Sequence, residues 1–163
     1  MLSIEEGLIV FVERSALEVG TVRYSPSFRI KTKDVVLIGY APRLIIDDKS
    51  GFLILVDRKC KVHYFNVDVV GSEALRQLEK QFEFSLQHDT RYYSWDDYKA
   101  GITEVIYPTS LRGKPLFKSW SWFSPRGFMK NISYKMSMGN PMWDRITNEM
   151  KAYINSHQPN RVS

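Results

Sequence analysis

Apolar residues in this chain fall into short runs and short alternations. The longest unbroken runs of Leu, Ile, Val or Phe are Leu8–Val12 and Phe52–Val56, five residues each. Runs of that length, rich in β-branched side chains, predict strands buried on both faces. A membrane-spanning helix needs about 20 apolar residues, so the pattern predicts no span. Further strands are predicted at Gly20–Tyr24 and Phe28–Lys31, on either side of Ser25-Pro26-Ser27. Asp34–Tyr40 and Arg43–Asp47 follow, with a bend, bulge or edge expected at Pro42, which cannot donate to a central ladder. Asp48-Lys49-Ser50-Gly51 reads as a turn into Phe52–Val56, and Asp57-Arg58-Lys59-Cys60 as a turn into Lys61–Val69. Together these segments predict an antiparallel β-meander.

Helical periodicity begins after Gly71, with Ser72 as the expected cap. Leu75, Leu78 and Phe82 then form one apolar stripe over about three turns. Ser94-Trp95-Asp96-Asp97 resembles a capping box on a short helix stopped by Gly101, and Ile102–Tyr107 reads as a strand ended by Pro108. Leu116–Phe123 and Phe128–Met138 predict a second hairpin around Ser124-Pro125-Arg126-Gly127. A last helix is expected from Pro141, capped by Asn140, with Met142, Trp143, Ile146, Met150, Tyr153 and Ile154 on one face. A frayed tail is expected from about His157. The predicted fold is one α+β domain over residues 1–163: a mainly antiparallel curved sheet or partial barrel with two to three helices, including the capped amphipathic C-terminal one.

Composition narrows the function classes. At 163 residues, with 44% hydrophobic and 25% charged residues, the chain can bury a core without staples. A single cysteine, Cys60, makes no internal disulfide. With no signal-peptide layout at the N-terminus, a cytoplasmic location is the simplest expectation. The net charge of +5 is unevenly placed. Residues 1–83 carry 12 basic and 12 acidic side chains, and residues 84–163 carry 11 and 6. Between Glu104 and Asp144 there is no acid, but there are Arg112, Lys114, Lys118, Arg126, Lys130 and Lys135.

That acid-free stretch also holds Trp120 and Trp122. A four-residue turn pairing Phe123 with Phe128 puts Leu116, Lys118, Trp120, Trp122, Met129, Asn131, Ser133 and Lys135 on one face. Phe117, Phe123, Phe128 and Tyr134 fall on the other. Indoles, lysines and an amide on one surface suit an anionic or protein partner. The candidate binding residues are therefore Lys118, Trp120, Trp122, Asn131 and Lys135, with Arg112, Lys114 and Arg126 beside them. The same side chains could instead be a basic rim over core tryptophans.

Catalytic signals are sparse. No Walker-type loop, G-x-G-x-x-G, G-x-S-x-G or H-E-x-x-H occurs. His88-Asp89, followed by Arg91, is the one mixed polar cluster in a predicted loop, and is the candidate active site if the protein is a small enzyme acting on a phosphorylated or other anionic substrate. Cys60 and His63 have a ligand-like spacing, but on a strand they point to opposite faces, and His63 shares its face with Phe65, Val67 and Val69. No metal or cofactor is implied. The leading expectation is a non-catalytic binding protein using residues 112–135. The alternatives are the small enzyme and a nucleic-acid-binding module.

Overall fold

The computed structural model describes residues 2–12, 27–42, 51–93, 102–118 and 145–158, together with positions 125 and 129. Among the described residues, seven strands are arranged in two antiparallel sheets. The first sheet has the order β1 (Leu2–Glu5), β2 (Leu8–Phe11), β3 (Phe28–Lys31). The second has the order β6 (Val62–Asn66), β5 (Gly51–Asp57), β4 (Val35–Pro42), β7 (Glu104–Tyr107). The α+β antiparallel character is as expected, and the two sheets do not close into a barrel.

β1 is not among the expected strands. Leu2-Ser3-Ile4-Glu5 is a short alternation that becomes a strand by pairing with β2, in the register Leu2↔Phe11 to Glu5↔Leu8. The two-residue turn between them, Glu6-Gly7, has positive φ at both positions, 46° and 78°. That is the backbone twist a tight hairpin requires.

The second sheet is buried on both faces, which is why β5 reads as an uninterrupted apolar run. Along β5 the faces alternate strictly. Leu53 and Leu55 pack with Ile9, Phe11 and Ile30 of the first sheet and with Leu78 and Phe82. Phe52, Ile54 and Val56 pack with Leu116, Phe117, Ile146, Met150 and Ile154. In β4 a register shift between Val35 and Leu37 places Val36 and Leu37 together on the second face. Pro42 closes β4 opposite Gly51, beyond the β4–β7 pairing, so its missing N–H disrupts no inner ladder. Gly51 itself is required by close approach: a Cβ there would lie 2.3 Å from the Ala41 carbonyl oxygen.

Helix α1 spans Ser72–Phe82 and buries Leu78 and Phe82, as the stripe predicts. Its cap position is Gly71 rather than Ser72, with no side-chain cap bond. It ends at Glu83, whose left-handed φ of 52° turns the backbone so that its N–H donates to the Glu79 carbonyl. A four-residue helix, α2 (Leu86–Asp89), replaces the loop expected around His88.

The C-terminal helix, α3, spans Asn148–Ser156 and is capped by Thr147, whose Oγ1 accepts from the Met150 N–H. It therefore starts later than expected from Asn140 and Pro141. The reason is that 145–147 run as an extended segment against 116–118. Lys118 N donates to Arg145 O at 2.9 Å, Thr147 N donates to Leu116 O at 3.0 Å, and Phe117 bridges Ile146. That pairing uses the backbone groups a longer helix would need. The expected apolar face is present in its described part, with Met150 and Ile154 buried. His157 and Gln158 are tied to Arg58. The expected strands at 20–24 and 43–47, and the short helix at 94–97, lie outside the described residues.

The hairpin expected at 116–138 needs a correction at positions 125 and 129. Pro125 and Met129 are both helical, whereas the sequence pattern put a turn at the first and a strand at the second. Leu116 and Phe117, assigned to opposite faces of a strand, are both buried in the same cluster. Leu116 is drawn in by the backbone pairing of 116–118 with 145–147 and by Leu116 N donating to Thr103 O at 2.9 Å.

Candidate functional site

The His88–Asp89–Arg91 cluster is built into the fold's own bonding. The Asp89 carboxylate accepts from the Ser85 N–H at 2.7 Å through one oxygen, and pairs with Arg112 Nη1 at 2.8 Å through the other. The Asp89 side of this ion pair is shielded, its side chain only 12% exposed, while Arg112 is exposed. Arg91 Nε donates to Glu104 Oε1 at 2.8 Å and its guanidinium lies 4.6 Å over the Tyr93 ring. The Tyr93 hydroxyl completes the group by donating to Glu104 Oε2 at 3.2 Å. Burial, with the Glu104 charge adding to it, pushes the Tyr93 phenol well above its ordinary pKa, so it stays a neutral donor. His88 is exposed at the side of this network. The arrangement anchors α2 and the following chain to β7 and the 109–114 turn.

Three of the eight residues expected to bind a partner are described. Arg112 is paired with Asp89, and Lys114 with Glu149 on α3. Lys118 is exposed, with its backbone N–H on Arg145. Trp120, Trp122, Arg126, Asn131 and Lys135 lie outside the described residues. Much of the positive charge foreseen at 112–114 is thus neutralised by acids distant in sequence.

The β5–β6 turn behaves as its residues suggest. Cys60 has φ 60°, and Cys60 N donates to Asp57 O at 2.9 Å. Asp57 Oδ1 accepts from the N–H groups of Lys59 and Lys61, both at 2.8 Å. Cys60 packs with the cluster on one face of the sheet. His63 is buried on the other, its ring 5.0 Å from Phe28 and its Nε2 3.7 Å from Asp57 Oδ2. Desolvation holds the His63 pKa below its usual value, against the opposing pull of Asp57. The opposite-face placement makes it a packed histidine.

An open cleft of about 1510 Å³ lies where the β1–β2 turn, the Thr32–Asp34 turn, the end of α1 and the end of α3 converge. Leu8, Val35, Val36 and Phe82 supply apolar lining. Tyr107 stands edge-on to Phe82 with ring centroids 5.2 Å apart, and Tyr153 stacks on His157 at 4.0 Å. Burial, helped by nearby Tyr107, raises the Tyr153 pKa, so this phenol is a neutral hydrogen-bonding group. Thr32 is buried, and its Oγ1 has no hydrogen-bond partner among the described residues. Around the mouth stand Glu5, Glu6, Lys31, Lys33 and Arg58.

Arg58 is committed to structure. Its Nε and Nη2 donate to Lys33 O at 3.2 and 3.0 Å, and its Nη1 donates to His157 O. Lys31 and Lys33 are exposed and form no ion pair with an acid among the described residues. The same holds for Arg29, which precedes Lys31 on the outward face of β3, and for Lys59 and Lys61 in the turn joined to Asp34 through the Arg58 N–H. Sequence reasoning passed over this cluster because acids elsewhere cancel it in a count over residues 1–83. The available signal was the alternation Arg29-Ile30-Lys31-Thr32-Lys33, basic at every second position with Ile30 and Thr32 turned inward.

No protein-family model matches the chain, and comparison with curated proteins and with solved structures found no match.

Proposed function

We propose that this is a non-catalytic binding protein that engages an anionic partner through the cations around the Thr32–Asp34 turn. The observation that carries this reading is the contrast in pairing. Arg112 and Lys114 have acidic partners, whereas Arg29, Lys31, Lys33, Lys59 and Lys61 have none among the described residues. Unpaired cations gathered from two turns raise the local potential and speed the approach of an anion. Lys31 and Lys33 also line a cleft with aromatic and apolar groups, so that contact can follow electrostatic approach.

The test compares two charge reversals of equal net charge. A variant with Lys31→Glu, Lys33→Glu and Lys61→Glu is set against one with Arg76→Glu, Lys80→Glu and Lys151→Glu, all at exposed positions. On immobilised polyglutamate the wild type is expected to elute with rising salt, the first variant markedly earlier, and the second between them. Equal elution of the two variants shows that net charge alone acts, and ends the reading.

A further inference from the structure

Resting on that reading, we infer that the cleft receives an extended acidic segment of a protein partner, carrying an apolar or aromatic anchor side chain. Three features of the cleft select this chemistry. Its volume, about 1510 Å³, exceeds the ~300–1,000 Å³ of typical small-molecule sites. Its lining combines Leu8, Val35, Val36 and Phe82 with charged residues, the mixture of apolar and polar groups that a protein–protein contact uses. The third feature is the mixture of charge at the mouth.

Lys31 and Lys33 share the mouth with Glu5 and Glu6, and Thr32 N donates to Gly7 O at 2.8 Å, which holds the two turns together. None of these four side chains is ion-paired among the described residues. A nucleic-acid strand carries a negative charge at every nucleotide and would be repelled by Glu5 and Glu6 wherever it entered. A polypeptide varies its charge along its length. It can present carboxylates to Lys31 and Lys33 and a neutral or basic residue to the two glutamates. Tyr107, Tyr153 and Gln81 supply hydroxyl and amide groups able to bond the segment's backbone.

The experiment is selection of a displayed library of random twelve-residue peptides on the intact protein. Counter-selection uses the Lys31→Glu/Lys33→Glu variant, whose fold is checked by its unfolding transition. Recovered peptides are expected to combine several Asp or Glu residues with a large apolar side chain. They should bind the counter-selection variant at least tenfold more weakly, and perturb the backbone amide signals of Thr32, Val35, Val36 and Tyr107. The single-stranded oligonucleotide dT12 is the second arm, with Glu5→Gln/Glu6→Gln expected to strengthen its weak binding. Equally tight binding of dT12 by the wild type at the cleft overturns the peptide assignment while leaving an anionic partner in place, and selection of peptides lacking acids overturns the acidic segment itself. Failure to recover any peptide sensitive to the lysine reversals, together with equal elution of the two triple variants from polyglutamate, removes both.

Discussion

Arg112 and Lys31 are the same kind of residue in opposite circumstances. Arg112 is held by Asp89, whose other oxygen fixes the Ser85 N–H, and beside it Arg91 and Tyr93 share Glu104. Lys31 sits at the mouth of a cleft, exposed and without an acidic partner among the described residues. The first cluster is the candidate active site of the sequence, and in the fold its Asp89 and Arg91 are bonded to other elements of the chain. The second is invisible in a charge count and has no acidic partner among the described residues. The lesson is that a charged group's role follows from whether its partner lies within the chain.

The largest effect that can break this comparison is at Asp89. Asp89→Ala leaves Arg112 and the Ser85 N–H without their acceptor, and a loss of about 2 kcal/mol is expected from urea unfolding. A loss below about 0.5 kcal/mol would show that the network does not hold α2 in place. Tyr93→Phe removes one donor from Glu104 while Arg91 remains, so about 1 kcal/mol is expected by the same measurement.

His63 sharpens the contrast through pH. Its folded pKa is lowered from 6.5, so below that value the unfolded chain takes up a proton that the folded protein resists. The stabilisation from neutral His63 is therefore present above pH 6.5 and is lost as pH falls through the folded pKa. The urea midpoint should drop on moving from about pH 7.5 to about pH 5.5, and His63→Gln should drop less over the same range. An equal drop in both would place the pH response elsewhere. The smallest expected change is at the cleft: Lys31→Ala and Lys33→Ala should each leave stability within about 0.5 kcal/mol of wild type. A larger loss would mean that these lysines, like Arg112, are structural after all.

Legibility followed the range of the interactions. The runs Leu8–Val12 and Phe52–Val56 both marked strands, but only Phe52–Val56 is covered on both faces; in the first, Ile9 and Phe11 are buried, Leu8 and Val10 are half-buried and Val12 is exposed. The stripe Leu75, Leu78, Phe82 marked α1 by its helical spacing. The Asp57–Cys60 turn and the inward placement of His63 could also be read locally, from turn chemistry and strand alternation. The late start of α3 could not. It depends on 145–147 pairing with 116–118, a contact across about thirty residues, which holds 145–147 extended ahead of Asn148. Met129 likewise had a strand-compatible neighbourhood and is helical.

By itself, the sequence determined the α+β class, the apolar segments that form the core and the uneven distribution of charge, because these depend on residue type and near-neighbour spacing. Only the tertiary structure decided which charges are spent. Asp89 meets Arg112 and Glu149 meets Lys114 across long chain separations, while Lys31 and Lys33 meet no acid among the described residues. Ion pairing depends on distance in space, and a linear count of charges contains no such distances. The net charge of +5 was readable from the start; which of the described cations lack an acidic partner had to wait for the fold.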